Sequence, residues 1–204
     1  MTRGLRSAAW FDGTDEVAMS HRVALRLGPE DRGRPVIGIA DTSSALNPCN
    51  DGFAQLVPFV EEGIRAAGGV PARFPVMSLG EDLMKPSAML YRNLVSMEIE
   101  ETVRANPLDG VVLLANCDKS VPAALTAAAS TDLPSLLLIG GARSAPEFRG
   151  RPLGSGTDLW RALDERRAGL LDDAGWAGLE RCLACTGPGS CNTMGTASTM
   201  ALVT

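Results

Sequence analysis

Histidine is nearly missing from this chain of 204 residues, with His21 the only one. Catalytic triads and zinc sites built on histidine are therefore close to excluded. His21 itself, between Ser20 and Arg22 near the N-terminus, reads as a surface residue. Aromatic residues are scarce at 4%, so a core must rest on Ala, Val, Leu and Ile, and 45% hydrophobic content supplies enough of them. No apolar run approaches the roughly 18 residues of a membrane span. Nothing apolar follows the opening Met1-Thr2-Arg3-Gly4-Leu5-Arg6, so no signal peptide is expected. A basic excess is absent too: the net charge of −5 argues against a nucleic-acid partner. The expectation is a cytoplasmic protein acting on a small molecule, with no membrane or nucleic-acid role.

What is present is a regular alternation. Residues 1–33 are polar and rich in Arg and Gly, and are expected to form an irregular N-terminal arm anchored by Trp10-Phe11. From 34 onward, the short apolar run at 35–40 reads as a strand buried on both faces, and the runs at 70–77, 108–115 and 134–139 read as further strands. Between them, 53–67 and 88–104 carry apolar residues at helical spacing, with Glu98, Glu100 and Glu101 assigned to a wet face. Residues 122–129 form an Ala-rich helix with Ser120 as its expected N-cap. A Gly-, Pro- and Arg-rich loop spans 142–156, and helical segments are expected near 157–183 and 192–204. Strands alternating with helices predict an α/β fold, three-layer α/β/α with a mainly parallel sheet, over residues 34–204. Ligands of such sheets gather beyond the carboxyl ends of the strands.

The chemically loaded residues fall there. Asn47-Pro48-Cys49-Asn50 follows the first strand and Asn116-Cys117-Asp118-Lys119 the third, while Thr186-Gly187-Pro188-Gly189-Ser190-Cys191 precedes the last helix. Each holds one cysteine ahead of a helix, where the N-terminus favours the thiolate, the metal-binding form. Three such thiolates suggest an iron–sulfur cluster with one iron left open, since a zinc site would be completed by a fourth Cys or a His. The plainer reading is three small residues filling loop-to-helix turns. Cys182 and Cys185 form a CxxC on a helical segment without a second CxxC or a His pair, which favours buried free thiols. Asp118 is a hard oxygen donor suited to Mg2+. Lys119 cannot ligate a cation as an ammonium, so it is either a counter-charge or chemically modified.

Together, Asn47-Pro48-Cys49-Asn50, Asn116-Cys117-Asp118-Lys119 and Cys191-Asn192-Thr193-Met194-Gly195-Thr196-Ala197-Ser198-Thr199-Met200 resemble the signature blocks of the dihydroxy-acid and phosphogluconate dehydratase family, IlvD/Edd. The resemblance runs from about Arg6 onward with the blocks in order. It implies that Cys49, Cys117 and Cys191 bind an iron–sulfur cluster, 2Fe–2S in preference to 4Fe–4S. It implies Mg2+ held by Asp118, by a carbamylated Lys119 and by an acidic residue after the second strand, with Glu81 preferred over Asp82. The implied reaction dehydrates a 2,3-dihydroxy acid to a 2-keto-3-deoxy acid. The ending from Met194 to Met200 and the Gly154-Ser155-Gly156-Thr157-Asp158-Leu159-Trp160 stretch resemble the sugar-acid (aldonate) branch. The dihydroxy-acid dehydratase of branched-chain amino-acid biosynthesis and a non-catalytic iron–sulfur module are the alternatives. Members of the family are longer. A second, β-barrel-like domain supplies a further acidic ligand and a serine base, so this chain is expected to be a fragment without its catalytic base. A homo-oligomer, dimer or tetramer, is expected of the full-length form.

Overall fold

Four apolar runs become the strands of one parallel sheet: β1 Val36–Asp41, β2 Val70–Pro75, β3 Gly110–Leu114 and β4 Ser135–Leu138, in the order β2-β1-β3-β4. The structure, a computed structural model, describes residues 4–154, 156–184 and 186–204. β3 is buried at every position, as a central strand covered on both sides must be. Alternate residues of the central strands enter two different cores. Val36, Ala40, Val111 and Leu113 face α4 (Arg92–Ala105) and α5 (Ser120–Thr131), packing on Val95, Ile99, Val103, Val121 and Ala124. Ile39, Val112 and Leu114 face the opposite way, onto Phe53 and Val57 of α3 (Phe53–Ala66). That is the expected three-layer arrangement. Small Ala side chains on α5 bring it close to the sheet, and Phe53 fills the other side where aromatics are otherwise few.

Several local expectations need correction. Residues 4–33 are not irregular. They contain α1 (Ala8–Phe11), α2 (Glu16–Ala24) and a 3-10 turn at Pro29–Asp31. Asp15 caps α2 by accepting from the Ala18 N–H at 2.8 Å. The anchor is Phe11 with buried Arg22, which donates to the Phe11 and Gly13 carbonyls, whereas Trp10 is 45% exposed. Asp109 ties this segment down: its carboxylate accepts from the Ser7 N–H and, at the start of β1, the Val36 N–H. Glu98 is not merely wet, since it accepts from the Met77 N–H at 2.9 Å. Ser120 is the first residue of α5, not its cap, and its Oγ reaches back to the N–H groups of Asn116 and Cys117.

The later segments also differ. The loop at 142–156 contains a short hairpin, β5 Glu147–Phe148 and β6 Arg151–Pro152. The helical region 157–183 is two helices, α6 (Thr157–Arg167) and α7 (Asp173–Ala184). With the hairpin they enclose a separate small core of Leu153, Ala162, Leu171 and Leu179. The last helix, α8, is Thr196–Val203. Among the described residues, no helix is long and apolar enough to cross a membrane.

Candidate metal centre

The loops at the carboxyl ends of β1, β2 and β3 meet at one cleft. The β1 loop brings Asn47 and Cys49, the β2 loop Glu81 and Asp82, and the β3 loop Cys117, Asp118 and Lys119. The segment before α8 adds Cys191 and Thr193, and all of these line a cleft of about 400 Å³ with Gly195 and Thr196. All the expected site residues are thus in one place, although Cys49 and Cys191 are 142 residues apart in the chain.

Buried amides hold the loops together. Asn116 is 2% exposed and spans three segments, donating to Cys49 O at 2.9 Å and Gly141 O at 2.7 Å and accepting from the Gly140 N–H at 3.0 Å. Asn47 and Asn50 both donate to Ser78 Oγ, tying the β1 and β2 loops. Thr42 Oγ donates to Leu114 O at 2.7 Å, joining the ends of β1 and β3. The Cys191 segment lies beside the extension of β4 through an isolated Ala142–Ser190 bridge, and Gly189 N–H donates to Pro48 O at 3.0 Å. Gly189 has a φ of +140°, and a Cβ there would stand 2.7 Å from the Ala142 carbonyl carbon. Only glycine lets the two backbones approach this closely.

The thiols interact electrostatically. Cys117 is buried, and its sulfur accepts from the Ser120 N–H at the first turn of α5, 3.3 Å away. Cys191 is held down to about 6, chiefly by a hydrogen bond from Cys49 and then by the Arg143 charge, against burial and the nearby Asp82 and Asp118. Cys49 is pushed up because it donates that hydrogen bond, because it is desolvated, and because Cys117 and Cys191 oppose a further negative charge. Helix N-termini alone would favour all three thiolates. The hydrogen bond between them favours the proton on Cys49 and the negative charge on Cys191.

Glu81, Asp118 and Lys119 form the other wall. Lys119 Nζ stands 2.9 Å from both Asp118 carboxylate oxygens and 3.3 Å from Glu81 Oε2. Burial works against the ammonium, yet Asp118 and then Glu81 raise the Lys119 pKa above its ordinary value. Burial works against the Glu81 carboxylate as well, and hydrogen bonds from Ser87, Lys119 and the Ala88 N–H lower it overall. The preferred Glu81 therefore faces Lys119, whereas Asp82 turns to Arg143 at 3.7 Å. Asn47 Oδ1, buried at the cleft wall, has no hydrogen-bond partner among the described residues.

This donor set suits a thiophilic metal group on the cysteine side and a hard cation on the carboxylate side. Among the described residues, no three His, Cys, Asp or Glu side chains are drawn around a single ion-sized gap, and the Lys119 ammonium stands between the two carboxylates. Cys182 lies on α7, beside the separate small core, and Cys185 lies outside the described residues. Sequence reasoning missed Arg143 and assigned no role to Asn116. Asn116 was visible as a polar residue closing an apolar strand, but its partners were not.

The profile of the dihydroxy-acid/6-phosphogluconate dehydratase N-terminal region matches residues 34–204. The chain is 46% identical over 172 residues to the L-arabonate dehydratase of Azospirillum brasilense, covering 82% of this chain and 30% of that protein. It is 44% identical over 200 residues to the 6-deoxy-6-sulfo-D-gluconate dehydratase of Pseudomonas putida, covering 96% and 34%. Identity is 36% over 192 residues to the dihydroxy-acid dehydratase of Methanobrevibacter smithii, covering 90% and 35%. The chain therefore spans about a third of the length of the curated relatives it matches. It belongs to the dihydroxy-acid/6-phosphogluconate dehydratase family, aligning with that family's N-terminal region.

Proposed function

We propose that the protein carrying this chain is an iron–sulfur and Mg2+-dependent hydro-lyase that converts a sugar acid to its 2-keto-3-deoxy acid in the cytoplasm. The observation that carries this reading is the meeting of Cys49, Cys117 and Cys191 with Glu81, Asp118 and Lys119 in one cleft. An iron–sulfur group held by Cys49, Cys117 and Cys191 would supply a Lewis acid for the leaving C3 hydroxyl, and Mg2+ held by Glu81, Asp118 and carbamylated Lys119 would supply one for the carboxylate and C2 hydroxyl. The reaction removes the C2 proton and the C3 hydroxide as water, and the resulting enol becomes the ketone.

The residues divide this work. The three cysteines would bind as thiolates, so a proton held on Cys49 would leave when the metal group enters. Glu81 and Asp118 offer carboxylate oxygens. Lys119 joins them once its neutral amine takes up CO2 as a carbamate, releasing a proton. The two carboxylates favour the ammonium, so carbamylation should follow only when a divalent cation replaces that positive charge. A non-catalytic iron–sulfur module would have no use for this second wall.

A sugar acid is favoured over a branched-chain dihydroxy acid because sugar-acid dehydratases stand at 40–46% identity and dihydroxy-acid dehydratases at 36–37%. Thr193 and Thr196 give the cleft hydroxyl-bearing walls that suit a polyol. The test is anaerobic purification with iron, sulfide and magnesium analysis, followed by keto-acid assays on aldonates and on 2,3-dihydroxy-3-methyl acids. Iron with sulfide, and turnover of an aldonate, is the expected result. Absence of both metals would overturn the reading.

A further inference from the structure

Arg143 follows β4 and belongs to none of the cysteine-bearing motifs. Its own N–H donates to Ser190 O at 2.9 Å and its Nε to Gly189 O at 3.2 Å, fastening it to the segment that delivers Cys191. The far end of the guanidinium turns into the site, with Nη2 3.8 Å from Cys49 Sγ and 3.7 Å from Asp82 Oδ2. The Arg143 side chain is 18% exposed, whereas Asp82 is 54% exposed. A guanidinium does not give up its proton at any ordinary pH. Its charge is thus held against the cysteine wall in partial shelter from water, while the carboxylate that would offset it is screened by solvent.

We propose that Arg143 is a positioning residue for the iron–sulfur group, donating through Nη2 to the Cys49 sulfur while its charge raises the group's reduction potential. The inference rests on the assignment of Cys49, Cys117 and Cys191 as cluster ligands. A donor to a ligating sulfur draws electron density from it, and a fixed positive charge favours the more negative, reduced form. The same withdrawal makes an open iron a stronger acceptor for a leaving hydroxyl. Backbone attachment to Ser190 and Gly189 makes one residue responsible for both the placement of Cys191 and the charge beside Cys49.

The test is a redox titration of the anaerobically purified protein and of its Arg143→Lys, Arg143→Gln and Arg143→Met variants, with iron and sulfide measured in each. The potential is expected to fall from the parent through Arg143→Lys to the two neutral variants. If the neutral variants do not take up iron, Arg143→Lys decides, because it keeps the charge and loses the planar fork. A potential below the parent supports the inference, and an equal one overturns it. A flat series across iron-loaded variants would reduce Arg143 to a loop anchor and overturn the inference alone. A parent protein without iron and sulfide would overturn the ligand assignment and this inference with it.

Discussion

Cys182 supplies the internal control for the other cysteines. It sits on α7 beside the small Leu153–Leu179 core, while Cys49, Cys117 and Cys191 line the cleft. Replacing any of those three with Ser is expected to remove most of the visible charge-transfer absorption of anaerobically reconstituted protein. Cys182→Ser should leave it largely intact, and the same is expected of Cys185. Equal loss across all variants would sink the ligand assignment. Lys119 allows a sharper contrast. In the full-length protein Lys119→Ala should abolish dehydration yet leave the absorption in place, because the Lys119 ammonium contacts Asp118 and Glu81. Lys119→Arg should behave like the Ala variant, since a guanidinium is not usefully carbamylated. Dehydration by Lys119→Arg would make the lysine a plain counter-charge.

Loops that meet only in the folded state make Asn116 and Gly189 vulnerable points. Asn116 makes hydrogen bonds to Cys49 O, Gly141 O and the Gly140 N–H. At about 1 kcal/mol each, with partners left unpaired, Asn116→Ala is expected to cost roughly 2–4 kcal/mol, read as a lower urea midpoint. Gly189→Ala should push the Cys191 segment off β4, losing iron while far-UV circular dichroism is kept. Retained iron would show that the segment can re-seat. These elements also mark what the sequence could convey. Strands such as 110–114 were legible because burial on both faces demands an unbroken apolar run. Cysteines ahead of helices were legible because loop chemistry concentrates at strand ends. The fold of residues 4–33 was not, since its anchor is Asp109, accepting from Ser7 across 102 positions. Arg143 was hidden for the same reason: its partners Cys49, Asp82 and Ser190 are remote in sequence, and no local pattern marks their proximity.

At the scale of the whole molecule, a polypeptide of residues 1–204 produced alone is expected to be silent on aldonates and on 2,3-dihydroxy-3-methyl acids. Dehydration needs a group to take the C2 proton, and the residues lining the cleft do not offer one. On the proposed assignment Glu81 and Asp118 serve the cation and Cys49, Cys117 and Cys191 the cluster, while the Asp82 carboxylate is paired with Arg143. Thr193 and Thr196 are too weakly acidic to stand as bases unaided, and Lys119 is an ammonium between Asp118 and Glu81 until, on the proposed reading, it is carbamylated and joins the cation's ligands. His21 lies far off in α2, its ring against Trp10 at 4.8 Å. A positioned base is worth about a hundred- to ten-thousand-fold, and substrate placement with water exclusion adds comparable factors. Leu46, Leu136, Met194, Leu202 and Val203 are each more than 60% exposed, so the same polypeptide should tend to self-associate. The measurement is keto-acid release by the iron- and magnesium-loaded polypeptide, with light scattering in parallel. Turnover near that of a curated relative's complete enzyme would place the base within residues 1–204 and require Lys119, freed of its proton, to be reconsidered for that role.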